Sequence, residues 1–235
     1  MESSNRANAN ANSNESLNQR PNYYPILADV SGMTCVVVGG GPIAWRKVAG
    51  LLECGARVVV VAPDGVPALE AAAGSGALVW HRRRFRPGDL AGATLAFAAT
   101  NDADANAAVR EEARREGALF NAAYGADQGN FLVPSVVRRG KLVLTASTSG
   151  ASPLLARRIA AEWERAYGPE YADYTVLLER LRAYALGSEA DEESKRLALG
   201  ALLDTDALER LRAGARLADV EAEGMELLKR KLRIT

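Results

Sequence analysis

Met33-Thr34-Cys35-Val36-Val37-Val38-Gly39-Gly40-Gly41-Pro42-Ile43-Ala44 is the stretch on which the fold turns. A short run rich in β-branched residues passes through three glycines into a segment with helical apolar spacing. Gly39, Gly41 and Ala44 fit the pattern G-x-G-x-x-G/A. In that pattern the first small residue allows a tight turn, the second lets a pyrophosphate approach the backbone, and the third lets helix and strand pack closely. The start of the following helix offers free N–H groups and the positive end of the peptide dipole to an anion. Pro42, which has no N–H to offer, suits the first helical turn.

Working outward, Ile43, Val48, Leu51 and Leu52 give the helix an apolar stripe, and Gly55 stands where a C-terminal glycine belongs. The run Arg57 to Val61 predicts a second buried strand, completing a βαβ unit. The plainer alternative is a βαβ unit that binds no nucleotide. Further strands are expected at Ala77–His81, Leu95–Ala99 and Ala118–Ala123, with helices at Val66–Ala73 and Asp104–Glu116. That alternation predicts a mostly parallel sheet with helices on both faces. Ligands of such sheets sit beyond the carboxyl ends of the strands. Those ends are Gly39–Gly41, Ala62–Asp64, Thr100–Asp102 and the loop Tyr124–Asn130. Beyond it the pattern changes. Phe131–Pro134 and Lys141–Thr145 read as a hairpin around an Arg138-Arg139-Gly140 turn. Ser152-Pro153 then opens a helix whose apolar face is Leu154, Leu155, Ile159 and Trp163. Helices dominate from Pro169 onward, with breaks near Gly187-Ser188, Asp204-Thr205 and Gly214.

Composition narrows the function. With 235 residues, 48% of them hydrophobic, the chain can bury a real core, and its formal net charge of zero argues against nucleic acid or an anionic membrane surface as the main partner. No apolar run approaches the roughly 20 residues of a membrane span. Met1–Asn22 is rich in Asn and Ser, lacks an apolar signal core and reads as a disordered tail. Cys35 and Cys54 fall within the first strand and helix, where they read as small buried residues, so a reducing, cytoplasmic setting is expected. His81 is the sole histidine, so no metal site of the zinc type is expected.

A series of motifs in order resembles the precorrin-2 dehydrogenase family, including the dehydrogenase/ferrochelatase portion of siroheme synthases. The motifs are Tyr24-Pro25-Ile26; Val37 through Lys47; Gly55-Ala56 with Val60 through Pro63; and Ala98-Ala99-Thr100-Asn101-Asp102. Asn121, Asn130-Phe131, Pro134-Ser135 and Ser147 through Pro153 complete the series, which covers about residues 23–170. The resemblance implies oxidation of precorrin-2 to sirohydrochlorin with NAD, in a homodimer. The fold expected is α/β: a Rossmann-like doubly wound parallel sheet, then a small α+β dimerisation region, then a helical C-terminal region. In residues, these are a tail at 1–22, an NAD-binding domain at 23–130, a dimerisation region at 131–168 and helices at 169–235. The apolar surface of the hairpin and the Leu154–Trp163 helix independently favours a dimer. Two alternatives remain: a bifunctional enzyme that also inserts iron, and a catalytically impaired protein that binds NAD and a tetrapyrrole.

By family position, Gly39, Gly41, Pro42, Ile43, Pro63, Asp64 and Thr100 would line the dinucleotide. The usual ribose-binding acid at the end of the second strand is missing, because Val61-Ala62-Pro63 stand there and Asp64 comes late. No arginine follows that would clearly take a 2′-phosphate, so NAD over NADP rests on the resemblance. The family's catalytic aspartate falls at Tyr124. A free tyrosine has a pKa of about 10 and is protonated at neutral pH. Tyr124 can donate a hydrogen bond, Asp127 of the same loop can supply a carboxylate, or activity is altered; the plainer reading of Asp127 is a solvated turn residue. For the substrate's carboxylates the candidates are Asn121, Thr148, Ser149, Arg138 and Arg157, with Arg139, Lys141 and Arg158 nearby. Solvated surface charge is the plainer reading of the cations, and a helix cap that of Thr148 and Ser149. The cluster Arg82–Arg86 reads as surface charge.

Overall fold

The β-branched run forms β1 (Thr34–Val38), the central strand of a five-stranded sheet. The computed structural model describes residues 22–123 and 129–233. β1 pairs in parallel with β2 (Arg57–Val61) on one side and β4 (Leu95–Ala98) on the other. β3 (Val79–His81) extends the sheet beyond β2, and β5 (Leu119–Ala122) beyond β4, again in parallel. The order β3-β2-β1-β4-β5 reverses its winding at β1, which makes the carboxyl end of that strand the switch point.

Alternation along β1 sends side chains to two cores. Cys35 and Val37 pack with Ala44 and Val48 of α1 (Pro42–Glu53) and Leu69 of α2 (Pro67–Gly74). Val36 and Val38 pack on the other side with Val109 and Ala113 of α3 (Ala103–Glu116) and with Leu90. A sheet covered on both faces needs near-continuous apolar strands, and β1, β2 and β4 supply them. Burial pushes the Cys35 thiol up to about 11. Cys54, expected to be buried, is exposed, because it lies at the C-cap of α1, past the last turn that faces the sheet.

No helix covers the path from β3 to β4. A loop runs there instead, anchored by a buried carboxylate. Glu112 of α3 is 2% exposed, and its carboxylate accepts backbone N–H bonds from Gly88 (3.0 and 3.1 Å) and Leu90 (2.8 Å). The Leu90 amide is buried, so the carboxylate gives it the acceptor that a helical ladder would otherwise supply.

The chain divides into two compact units, Met1–Val133 and Pro134–Thr235. In the second, β6 (Ser135–Arg139) and β7 (Leu142–Ala146) form an antiparallel hairpin. The expected first strand, Phe131–Pro134, is not one. The Phe131 ring packs edge-on against Phe97 at 5.4 Å and its carbonyl accepts from Asn121, while Pro134 has no N–H for a ladder. Arg138 and Arg139 therefore lie in β6, and the turn is Gly140-Lys141. Ser152 caps α4 (Pro153–Ala166) by accepting from the Leu155 amide at 3.2 Å. Within the unit α4 buries Ala156 and Ala160 rather than the expected leucines; Leu154 is 73% and Leu155 48% exposed. The breaks expected near Gly187, Asp204 and Gly214 separate α5 (Glu170–Leu186), α6 (Glu192–Leu203), α7 (Ala207–Arg212) and α8 (Leu217–Leu232). These helices enclose a core of Leu177, Leu181, Ala198, Val220 and Leu228.

Glu112→Ala is expected to lower stability by about 1–3 kcal/mol, because the loop amides lose their acceptor. Glu112→Gln, which keeps one acceptor oxygen, should cost less. The urea midpoints of the two variants against wild type measure the difference.

Candidate functional site

At the switch point the chain leaves β1 through Gly39, whose φ of +128° is open to glycine and to few other residues. A Cβ there would lie 2.3 Å from the Ala99 carbonyl oxygen, and the Gly39 amide donates to Val61 O at 3.0 Å. Gly39 thus locks the end of β1 between the ends of β2 and β4. Gly41 differs in kind. It is the N-cap of α1 with φ −77° and ψ −178°, a conformation any residue adopts, and a Cβ there would meet nothing within 4 Å. The space above the helix start is open. Ala44, the third small position, is fully buried against the sheet. Among the described residues no side chain caps α1, and its first turn holds no acid, so its leading amides and dipole face that space.

Beside this turn, β2 is followed by buried Ala62 and then by exposed Pro63 and Asp64. The Trp80 Nε1–H donates to Ala62 O at 2.9 Å. The Arg82 guanidinium stacks on the Trp80 ring at 3.9 Å and forms a two-pronged pair with Glu70 at 2.9 and 2.8 Å. That pairing holds the Glu70 carboxyl below its ordinary range and raises Arg82. Pairing of β3 with β2 sets Val61 opposite His81, which puts an arginine next to the end of β2. In the sequence Arg82 looks like surface charge, since only the sheet order reveals the adjacency. Two more of that cluster are paired: Arg83 with Asp89 at 2.6 Å and Arg84 with Asp102 at 3.7 Å.

Past β4, the Thr100 hydroxyl accepts from the Asp102 amide (2.9 Å) and donates towards Asn106 Oδ1 (3.0 Å). Asn106 Nδ2 returns a bond to Thr100 O at 3.0 Å, and Asp102 caps α3 through the Ala105 amide. The hydroxyl of Thr100 thus shapes this loop. Past β5, Asn130 binds residue 120 twice: the Phe120 amide donates to Asn130 Oδ1 (2.7 Å) and the Asn130 amide to Phe120 O (2.9 Å). Asn121, 5% exposed, donates its Nδ2 to Phe131 O at 3.0 Å, and its Oδ1 has no partner among the described residues. Lys47 of α1 reaches over the Phe97 ring at 5.7 Å; burial, then the Arg46 cation, hold its pKa below the ordinary lysine value. Sequence reading had no signal for Lys47, which looks like any charge on an amphipathic helix. Tyr124 and Asp127 lie outside the described residues.

In the second unit the Thr148 hydroxyl accepts from the Ser152 amide at 2.9 Å, and Ser147 Oγ accepts from the Ser149 amide at 3.1 Å. The Ser147 and Thr148 hydroxyls thus brace the loop that leads into α4. Arg139 is tied to the carbonyls of Tyr167 (3.0 Å) and Glu164 (3.2 Å), Lys141 pairs with Glu179, and Arg158 pairs with Glu162 at 3.3 Å. Among the described residues, Arg138 and Arg157 are exposed and make no ion pair. No group of three His, Cys, Asp or Glu side chains that would hold a metal occurs among the described residues.

A family model described as NAD(P)-binding matches residues 26–135. The precorrin-2 dehydrogenase of Priestia megaterium is 34% identical over 188 residues, which cover 75% of this chain and 93% of its own length. The siroheme synthase of Nitrosococcus oceani is 33% identical over 202 residues, 86% of this chain and 42% of that longer one. The solved structure of SirC, a precorrin-2 dehydrogenase, superposes with a TM-score of 0.72 at 29% identity, covering 88% of this chain and all (100%) of that one.

The two glycines should separate cleanly. Gly39→Ala is expected to lower stability by at least about 1–3 kcal/mol, since the added methyl meets a carbonyl in a strained conformation. Gly41→Ala should stay within about 0.5 kcal/mol of wild type. Thermal unfolding of both variants measures this.

Proposed function

The chain belongs to the precorrin-2 dehydrogenase family, and we propose that it oxidises precorrin-2 to sirohydrochlorin with NAD, a step in siroheme biosynthesis. The observation that carries this reading is the turn at the carboxyl end of the central parallel strand. There Gly39 is packed shut, Gly41 stands open, and an uncapped helix points its amides into the opening. A pyrophosphate fits that cradle, since its charge meets the helix dipole and its bulk fills the space a side chain would take. Bound there, NAD supplies the hydride acceptor. Around it we assign Pro42 and Ile43 to the pyrophosphate side, Pro63 and Asp64 to the adenosine side, and Thr100 to shaping the loop after β4.

Hydride removal from the substrate must be matched by loss of a proton, and a positioned base contributes about 10²–10⁴-fold to such a step. We assign that role to the loop holding Tyr124 and Asp127. Asp127 can accept a proton at neutral pH, whereas Tyr124 can donate a hydrogen bond to the substrate. Thr148, Ser149, Arg138 and Arg157 are the proposed partners of the substrate. The unpaired state of the two arginines favours them over Arg139, Lys141 and Arg158 as ligands for its carboxylates. We further propose a homodimer, supported by the exposed leucines of α4 and by Val136, 46% exposed on β6. A cytoplasmic setting suits two thiols that form no disulfide. Among the described residues, no helix is long and apolar enough to cross a membrane.

NADH absorbance with enzymatically generated precorrin-2 tests the reaction. Wild type should turn over, and one of Tyr124→Phe and Asp127→Asn should lose about 10²–10⁴-fold in rate. NAD binding without turnover in wild type would replace the enzyme with a protein that only binds its ligands. Light scattering at micromolar concentration should give twice the chain mass of 25.0 kDa. Leu154→Glu with Leu155→Glu should return it to the monomer.

A further inference from the structure

The dinucleotide reading leaves two groups in the first unit without a role. One is the orphaned acceptor Asn121 Oδ1, in a side chain that is 5% exposed. Its orientation is fixed, because only the amide nitrogen can donate to Phe131 O. A buried acceptor with no donor has given up its water and received nothing in return. The other is Lys47, a half-buried cation with no ion pair among the described residues, held over an aromatic face. Both are gathered around Phe97. Asn121 is its register partner on β5, Phe131 stacks on it edge-on, and Lys47 crosses it from α1.

This cluster lies in one half of the cleft. The ribose-binding position of this fold is at the end of β2, so the adenosine half spans β2 and β3 and the other half spans β4 and β5. Asn121 and Phe97 belong to the β4–β5 half. Two residues further along from each, just past the strand ends and on the same face, stand the small residues Ala99 and Ala123. A group that meets this cluster must donate to one side and accept from the other. A carboxylate fails, because it would set oxygen against Asn121 Oδ1. A primary amide succeeds.

We propose that Asn121 and Lys47 bind the carboxamide at the nicotinamide end of the dinucleotide, Asn121 Oδ1 accepting from its NH₂ and Lys47 Nζ donating to its carbonyl. This inference rests on the dinucleotide reading above. It makes both side chains positioning residues that would orient the nicotinamide ring for hydride transfer. The lowered pKa of Lys47 is the expected mark of a cation held partly out of water until a ligand covers it.

Calorimetry with three probes tests it without any turnover: NAD, its 3-acetylpyridine analogue, in which a methyl replaces the NH₂, and ADP-ribose, which lacks the ring. Wild type should bind NAD about tenfold or more tighter than the analogue, because the analogue leaves Asn121 Oδ1 unpaired. Asn121→Ala should bring NAD and the analogue level and leave ADP-ribose within about twofold of wild type. Lys47→Met, which keeps the apolar stem, should weaken both ring-bearing ligands alike and spare ADP-ribose. Equal binding of NAD and the analogue by wild type overturns the assignment. So does a loss of ADP-ribose affinity in the variants as large as the loss of NAD affinity, which would make the pair structural. Wild type that binds neither NAD nor ADP-ribose would bring down the dinucleotide reading itself.

Discussion

At Gly39 the backbone of β1 comes so close to the Ala99 carbonyl that no side chain fits between them. That contact sets where the central strand stops, and the direction in which α1 leaves follows from it. The amide of the same residue is held by β2, so three neighbouring strand ends are tied at one point. Everything proposed for the cleft depends on this knot. The open space at Gly41, the uncapped helix and the two halves of the edge on either side are all positioned by it.

The periphery of the first unit is held by polar contacts more than by packing. Glu112 secures a crossover that has no helix, Thr100 and Asn106 brace the loop after β4, and Asn130 ties the returning chain to β5. Each replaces water on backbone amides or carbonyls that the sheet leaves behind. Asn121 is the exception in this set, satisfied on its nitrogen and bare on its oxygen. A fold that meets its polar needs so consistently elsewhere gives that one bare atom meaning.

Legibility in the sequence followed the range of the interactions. The glycine turn, β1, α1 and the breaks among the C-terminal helices are set by neighbours in the chain, and local pattern reads them correctly. Phe131 misled because its apolar run resembles a strand, while its ring and carbonyl are claimed by Phe97 and Asn121, residues distant in sequence. Arg82 and Lys47 could not be placed because the first depends on β3 pairing with β2 and the second on a helix flank meeting β4. Thr148 carries two readings in sequence, ligand or helix cap, and its hydroxyl accepts from the Ser152 amide just before α4. Leu154 and Leu155 look like core residues by type, and their exposure emerges only once the alanines of the same helix take the buried positions.

The cysteines give the molecule a built-in asymmetry of reactivity. Cys35 is sealed in the sheet with its thiol raised to about 11, whereas Cys54 is open to solvent at the last turn of α1. A thiol-directed dye would therefore mark one place. At about 1.5 Å per residue, the 12 residues of α1 set that place roughly 18 Å from the glycine turn. A fluorophore on Cys54 of the natural chain would stand clear of the cleft, at a distance suited to energy transfer with a bound reduced nicotinamide.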